Sequence, residues 1–272
     1  MTDIIDLINR SGIPTIVYKG KYKEEITQYI SNNKIRSIVI DGDIKVDTSI
    51  NDFLKKLSNI DSLCIIGYVK PDPNALYHLN LKELVLPEND WNLDFTRLPN
   101  LEYLRMTYCK KMNFKNIPSS LKEVTLSKLK SKDIKTVFGE NSIEKLALNR
   151  TTLENLDGIE YFKKLKNIII SYSPKLTDIK NLSSLSKLLN KIEFDTCKSL
   201  SEFAVLKELS HLEEINIYNA DSILTTEYFK NLSHLQILYL RGKMKVLKQN
   251  IEDVSHIKRV VIADMDLMIG CK

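Results

Sequence analysis

A six-residue apolar pattern returns along the whole chain and restricts what the chain can fold into. In each copy, apolar side chains occupy positions 1, 4 and 6, as in Leu165, Ile168 and Ile170. A recurrence every 20–25 residues is typical of solenoids, in which each repeat packs on the next. The twelve copies begin at Ile13, Ile35, Ile60, Leu81, Leu101, Leu121, Ile143, Leu165, Leu189, Leu212, Leu235 and Ile257.

The spacing within each copy predicts a short β-strand. Positions 4 and 6 alternate along a strand, so both side chains point to the same face, towards the core. Position 1 enters the core from the preceding turn, whereas positions 3, 5 and 7 point outwards. Stacking the copies predicts a parallel sheet with strands about 4.8 Å apart. One repeat alone cannot cover its apolar face, so the stack is the folding unit.

Further positions of the repeat carry a family resemblance. Position 9 is Asn89, Cys109 or Cys197 in three copies, and Leu176-Thr-Asp-Ile179 follows one strand. Position 12 is apolar in Met112, Leu176, Leu200 and Ile223. The chain therefore resembles the leucine-rich-repeat family, with some features of its cysteine-containing repeats. The resemblance implies an α/β fold, a curved parallel sheet of about 11–12 repeats with short helices on the convex side. Elsewhere position 9 is Thr151, Ser173 or Ala220, so we expect the family's side-chain ladder to be interrupted.

The pattern predicts one solenoid domain over residues 1–272. Residues 1–34 are expected to form capping helices and the first strand, because Ile4, Ile5, Leu7 and Ile8 fit one helical stripe. Residues 257–272 are expected to close the other end. The match at Ile13 is the weakest, and the sequence leaves open whether this strand joins the sheet.

The charge composition, the apolar runs and the first ten residues indicate where in the cell the protein is expected. The chain has 40 basic and 35 acidic residues, a mixture that fits a protein surface better than a dedicated nucleic-acid domain. No apolar run approaches the roughly 20 residues that span a bilayer, so no membrane partner is expected. The first ten residues carry acids where a secretory signal carries positive charge. We therefore expect a cytoplasmic protein.

Cysteine and histidine are the residue types here that could carry chemistry. Cys64, Cys109, Cys197 and Cys271 are scattered, which predicts free thiols in a reducing compartment. Cys109 and Cys197 fit buried ladder positions, whereas Cys64 falls at outward position 5 and could be reactive. No base stands beside Cys64, and no phosphate loop, nucleophile elbow or HExxH motif occurs. We predict no catalytic residue, no metal and no cofactor.

Three histidines share the slot before position 1: His211, His234 and His256. In a stack they would lie about 5 Å apart. Three ligands in a line fit tetrahedral zinc poorly, and the pattern favours a role in the turn. Whether they have any further role is left open.

The outward positions carry the main functional hypothesis. Tyrosine and arginine recur there, and both types contribute strongly to protein interfaces. We therefore predict a non-enzymatic scaffold that binds a partner protein on the concave face. The predicted contacts are Tyr103, Arg105, Tyr108, Tyr172, Glu193, Asp195, Tyr218, Tyr239 and Arg241. Lys191, Glu214 and Asn216 also lie at outward positions, but they are not among the predicted partner contacts.

Two alternatives remain from the sequence. A narrower hypothesis makes the partner an enzyme or toxin, with this chain as an inhibitor or immunity-type protein. The other is nucleic-acid binding through basic patches at 105–150 and 241–259. The intervening acids Glu193, Asp195 and Glu214 oppose a continuous phosphate track.

Overall fold

A computed structural model describes most of the chain and divides it into two compact units. The described residues are 5–10, 13–18, 24–41, 49–67, 71–88, 91–220, 223–242, 245–246, 251–262 and 265–267. The first unit comprises residues 1–124 and the second unit comprises residues 125–272. Within the described ranges, no helix combines the length and apolarity needed to cross a bilayer.

Strands dominate both units, and helices are few and short. The strands are β1 Ile5–Arg10, β2 Ile13–Tyr18, β3 Ser37–Asp41, β4 Ser62–Ile66, β5 Glu83–Leu86, β6 Tyr103–Thr107, β7 Glu123–Ser127, β8 Lys145–Asn149, β9 Asn167–Ser171, β10 Lys191–Asp195, β11 Glu214–Tyr218, β12 Ile223–Leu224, β13 Ile237–Arg241, β14 Lys245–Val246, β15 Arg259–Ile262 and β16 Met265–Leu267. The α-helices are α1 Glu24–Asn32 and α2 Ser49–Lys56. The 3-10 helices span Pro73–Ala75, Phe95–Arg97, Ile159–Tyr161, Lys180–Leu185, Ala204–Glu208, Thr226–Phe229 and Ile251–Val254.

In the first unit, β2 to β6 pair in chain order as a parallel sheet. The side chains at position 4 face one another across this sheet and are fully buried: Ile16, Ile38, Leu63, Leu84 and Leu104. The strand at Ile13–Tyr18 therefore belongs to the sheet, because it pairs with β3 in the same register.

In the second unit, β8, β9, β10, β11, β13 and β15 repeat this arrangement in parallel. The buried position-4 ladder consists of Leu146, Ile168, Ile192, Ile215, Leu238 and Val260. The short strand β16 pairs antiparallel with β15 at one end. The predicted leucine-rich-repeat architecture is confirmed, and each of the twelve pattern copies contains a strand of the β2–β11, β13 and β15 set.

The predicted capping helix over residues 2–10 is wrong. Ile5–Arg10 forms a strand that pairs antiparallel with β2, from Ile5 opposite Tyr18 to Arg10 opposite Ile13. A short apolar run fits a helical stripe and a strand almost equally well. The unpaired edge of β2 decides the outcome, since an added strand satisfies backbone groups that a helix would leave open. A helix does form within residues 1–34, as α1, which buries Ile26 and Ile30.

Two recurring backbone contacts hold consecutive repeats together. The first is a carbonyl at position 2 that accepts two N–H groups from the next repeat. In the second unit, the Lys166 carbonyl accepts from Asn190 and Lys191 at 2.8 and 3.0 Å. The Asn190 carbonyl then accepts from Glu213 and Glu214 at the same two distances. Each strand therefore begins where the preceding repeat supplies an acceptor, and this fixes the register.

The second contact lies just past each strand, at position 8, where the backbone is left-handed. Its N–H group donates to the next repeat's position-7 carbonyl, as Tyr172 does to Asp195 at 2.8 Å. Thr196 donates to Tyr218 in the same way at 2.9 Å. The position-8 residues of the second unit have φ of 51–60° in Lys128, Arg150, Tyr172, Thr196 and Asn219, and 99° in Gly242. Non-glycine residues adopt this strained conformation because the hydrogen bond to the next repeat holds the backbone there, where the chain turns out of the sheet.

The ladder at position 9 continues further than the sequence predicts. Thr151 and Ser173 are buried, and their hydroxyl oxygens lie 2.8 Å apart in a hydrogen bond. Cys197 continues the row, with its thiol 3.5 Å from the Ile170 carbonyl oxygen. The row stops at Ala220, whose buried methyl group cannot form a hydrogen bond. Short hydroxyl side chains and a thiol thus replace asparagine from Thr151 to Cys197, and buried apolar residues, Leu129 and Ala220, occupy position 9 on either side.

A matched pair of substitutions on β9 tests the inward and outward assignment. Ile168 is fully buried, whereas its neighbour Ile169 is half-buried on the outward face. We expect Ile168→Ala to lower the free energy of unfolding by about 2–5 kcal/mol because it leaves a cavity in the ladder. Ile169→Ala should cost about 1 kcal/mol or less. Urea denaturation measures both, and equal losses would contradict the register.

The left-handed turn gives a second stability prediction. A Cβ atom added at Gly242 would lie 2.9 Å from the backbone nitrogen of Asn219, at a φ of 99°. Gly242→Ala should therefore lower the free energy of unfolding by about 1–3 kcal/mol. Thr196→Gly, at the equivalent turn, places glycine where a left-handed backbone favours it. The free energy of unfolding should therefore change by no more than about 1 kcal/mol. Thermal melts compare the two variants, and a neutral Gly242→Ala would argue against this turn.

Candidate functional site

The outward face of the second unit brings five of the predicted contacts together. Glu193 and Asp195 lie on β10, Tyr218 lies on β11, and Tyr239 and Arg241 lie on β13. Across the paired strands, Asp195 is opposite Tyr218, and Tyr218 is opposite Arg241. Residues that are 23 apart in sequence thus become neighbours on one surface.

A sixth residue joins these five at the centre of the surface. Asn216 is opposite Glu193 on one side and opposite Tyr239 on the other. We call Glu193, Asp195, Asn216, Tyr218, Tyr239 and Arg241 the β10–β13 patch. Its backbone is rigid because the inward side chains of the same strands form the buried ladder.

A polar network lies within and beside this patch. The Lys191 ammonium group is 2.8 Å from a carboxylate oxygen of Glu214 and 3.7 Å from one of Glu193. The Asn216 side-chain amide donates to Glu214 at 2.7 Å and to Glu193 at 3.3 Å. Two carboxylates are therefore held in place by one cation and one amide.

The network sets the protonation of its members. Burial opposes the ionisation of Glu214 more than any other single effect. The hydrogen bonds from Lys191 and Asn216, with the ammonium charge, together outweigh burial and lower the pKa of this carboxyl group. Burial likewise opposes the charge on Lys191, but Glu214 and Glu193 raise its pKa overall. Both groups are therefore charged near neutral pH, and the network is an ion pair.

Aromatic rings and arginines occupy the neighbouring strands. The guanidinium carbon of Arg259 lies 5.1 Å from the centre of the Tyr239 ring, and that of Arg241 lies 5.9 Å from it. Both distances suit cation–π contacts. Burial, followed by the nearby Glu193 charge, raises the pKa of the Tyr218 hydroxyl. Tyr218 and Tyr239 are half-buried, so each keeps part of its ring available to a partner.

Tyr172 occupies a different row from the patch. It sits at the left-handed position 8 after β9, between Arg150 and Thr196 of the adjacent repeats, and is 49% exposed. Its N–H group bonds to the carbonyl of Asp195. The side chain is thus presented at the margin of the outward face.

The remaining predicted contacts belong to the first unit. Tyr103 packs on a buried apolar cluster of Val39, Cys64 and Val85. Tyr108 lies with its ring centre 6.3 Å from that of Phe114, and burial raises the pKa of its hydroxyl. Arg105 is exposed on β6. The first unit therefore contributes one exposed arginine and two partly covered tyrosines.

The prediction that Cys64 faces solvent is wrong. Cys64 does occupy outward position 5, but it is only 6% exposed. Val39 and Val85 flank it in register on the adjacent strands, and the three side chains pack together. In this unit the outward face carries an apolar ladder of its own, so the thiol is shielded.

The other described cysteines differ from one another. Cys197 is fully buried as predicted, and burial raises its thiol pKa to about 11. Cys109 is only half-buried, so the prediction of a buried position is wrong for it. Cys271 lies outside the described residues, as does Asn89.

The histidines form contacts between repeats. His211 and His234 stack with ring centres 5.6 Å apart, close to the predicted spacing. A ring nitrogen of His234 lies 3.0 Å from the Ser210 carbonyl oxygen, and one of His256 lies 3.1 Å from that of Leu232. The rings of His234 and His256 thus bond to the turn of the preceding repeat. In the parts of the chain with defined positions, no group of three or more potential ligands could hold a metal ion.

Lys191 and Asn216 are the functional candidates that sequence reasoning missed. Both were visible as outward positions, and Lys and Asn alone gave no reason to select them. Their importance depends on the strand register, which places Asn216 beside Glu193 and Lys191 beside Glu214. Equivalent positions in adjacent copies indicate which residues are opposite each other, but only the structure shows which of these side chains bond.

Comparison with known proteins adds little beyond the fold. No protein-family model matches the chain, and no curated protein matches it. Among solved structures, an internalin from Listeria monocytogenes is 17% identical, with a TM-score of 0.45 over 94% of this chain and 88% of its own. The protein has a leucine-rich-repeat fold. Its own strand pairings and buried ladders are the basis for this statement.

Two further solved structures are similar at the same low level. A leucine-rich-repeat protein from Leptospira interrogans is 12% identical, with a TM-score of 0.38 over 89% of this chain and 81% of its own. The functional domain of InlJ from Listeria monocytogenes, which includes a cysteine ladder, is 16% identical with a TM-score of 0.40. That match covers 84% of this chain and 62% of the InlJ domain. At these sequence identities and TM-scores, the similarity indicates nothing about a binding partner of this chain.

Thiol alkylation tests the assignment of the cysteines. In a Cys271→Ser background, iodoacetamide at pH 8 should label half-buried Cys109 before Cys64 or Cys197. A thiol with a pKa of about 11 has roughly one thiolate per thousand molecules at this pH, which makes Cys197 slow. Peptide mass spectrometry follows the three sites over time. Labelling of Cys64 as fast as Cys109 would show that the outward cluster is open.

Proposed function

We propose that the protein is a non-enzymatic scaffold that binds a partner protein on the outward face of its sheet. The observation that supports this is the β10–β13 patch. It combines two half-exposed tyrosines, an exposed arginine and two carboxylates on rigid strands. Tyrosine and arginine dominate binding energy at protein interfaces, particularly when a rigid framework holds them.

An inhibitor or immunity-type protein is the narrower form of the same proposal. It differs only in the nature of the partner, an enzyme or a toxin. Identification of the captured partner, followed by an assay of its activity or toxicity, distinguishes this form from a general scaffold.

Nucleic-acid binding is the weaker proposal. In the second unit, Arg241 lies on β13 and Arg259 on β15, whereas Glu214 lies on β11 and Glu193 and Asp195 lie on β10 of the same sheet. A phosphate backbone that follows the sheet would meet these carboxylates within two or three strand spacings. Capture that survives nuclease treatment and changes little between about 50 and 200 mM salt would favour a protein partner.

Partner capture with tyrosine variants tests the proposal directly. The tagged protein captures partners from native lysate, and mass spectrometry identifies them. Tyr218→Ala combined with Tyr239→Ala should reduce the capture of the principal partner at least about tenfold, because each removes a large contact. The melting temperature should change little, since both side chains point away from the core.

A third tyrosine supplies the control. Tyr228 is similarly half-buried but lies in the 3-10 segment Thr226–Phe229, between strands. Tyr228→Ala should leave capture unchanged. Loss of capture with this variant, or normal capture with the double variant, would contradict binding through the patch.

A further inference from the structure

The centre of the β10–β13 patch contains an unused hydrogen-bond acceptor. Asn216 is only 4% exposed, and its side-chain oxygen Oδ1 has no hydrogen-bond partner. The amide nitrogen bonds to the carboxylates of Glu193 and Glu214, which fixes the orientation of the amide. The reversed orientation would place oxygen against two anions. Oδ1 is therefore a buried acceptor that no donor in the described part of the chain completes, and such an orphaned atom calls for an explanation.

Negative charge around this acceptor is not balanced. The carboxylates of Glu193, Asp195 and Glu214 face the single ammonium group of Lys191. In the described part of the chain, Asp195 forms no ion pair, and its carboxylate accepts only the Thr196 hydroxyl at 2.8 Å. The four charged groups on β10 and β11 thus sum to two negative charges, partly removed from water, and Arg241 on β13 offsets one of them. A cation arriving there would be attracted more strongly than at an isolated surface carboxylate.

The geometry favours a particular cation. Glu193 and Asp195 are two residues apart on β10, so both point outwards about 7 Å apart. Tyr218 lies beside Asp195, and Tyr239 lies beside Asn216 one strand further on, so aromatic side chains border the acidic pair on one side. A guanidinium group carries five N–H donors in one plane, can bridge separate acceptors and stacks on tyrosine. An ammonium group has the same charge as a guanidinium group but lacks its planar set of donors. A metal ion would need a closer group of ligands, and the described residues contain none.

We propose that the β10–β13 patch binds an arginine side chain presented by the partner protein. Asp195 and Glu193 supply the counter-charges, Asn216 Oδ1 supplies a further acceptor, and Tyr218 and Tyr239 flank the guanidinium plane. This inference rests on the proposed scaffold function and specifies the chemistry of the partner.

A peptide titration of the full chain tests the site without knowledge of the partner. The probe is the capped tripeptide Gly-Arg-Gly, compared with the same peptide carrying lysine or citrulline, which keeps the shape of arginine without its charge. With isotope-labelled protein, the arginine peptide should shift the NMR signals of Glu193, Asp195 and the Asn216 side chain saturably. The lysine peptide should bind at least about fivefold more weakly, and the citrulline peptide should produce no saturable shift.

A matched pair of charge variants locates the site. Asp195→Asn should weaken arginine-peptide binding at least about threefold. Glu202→Gln removes the same charge from an exposed position outside the sheet and should leave binding unchanged. Circular dichroism and thermal melts establish that both variants fold.

Several outcomes would overturn the inference. They are no saturable shift, equal affinity for the lysine or citrulline peptide, or unchanged binding by Asp195→Asn. A dimer of the free protein that dissociates with Arg241→Glu would assign the patch to a second copy instead. If the titration fails but partner capture still depends on Tyr218 and Tyr239, the arginine site is contradicted and the scaffold proposal stands. Success of the titration without any captured partner would support the arginine site but contradict a protein partner as its source, and with it the scaffold proposal.

Discussion

The structure depends on one constraint: no repeat can satisfy its own backbone or cover its own apolar face. A position-2 carbonyl such as that of Lys166 accepts two N–H groups from the next repeat. The left-handed residue after each strand donates to the next carbonyl, as Tyr172 does to Asp195. These contacts fix the register, and the register aligns the buried side chains at position 4. Removal of one contact would affect its neighbours first, because each repeat touches only the adjacent ones.

The same register determines what the outward face can do. Side chains 23 residues apart in sequence become neighbours, which brings Lys191 to Glu214 and Glu193 to Asn216. A single polar side chain at one of these positions would be an ordinary exposed residue without a functional role. In rows, such side chains form a network whose charges and hydrogen bonds depend on each other. The patch is therefore a property of the stack, and the buried ladder beneath it keeps it rigid.

The two units use their outward faces differently. In the first unit, Val39, Cys64 and Val85 form an apolar cluster, and Tyr103 packs on it. At the adjacent outward row, a hydrogen-bond chain runs from Ser37 through Ser62 to Glu83. Small and branched side chains at neighbouring positions cover one another and leave little for a partner. In the second unit, longer polar and aromatic side chains occupy the equivalent positions, so that face remains accessible.

The amino-acid sequence alone determined the twelve strands, their inward faces and the candidate tyrosines and arginines, because apolar spacing is a local property that survives without knowledge of neighbours. It misassigned residues 2–10, since a short apolar run fits a helix and a strand alike and only the open edge of β2 selected the strand. It also expected Cys64 to be exposed and gave no special place to Asn216. Burial of those two side chains depends on what stands beside them on adjacent strands, and only the tertiary structure brings those neighbours together.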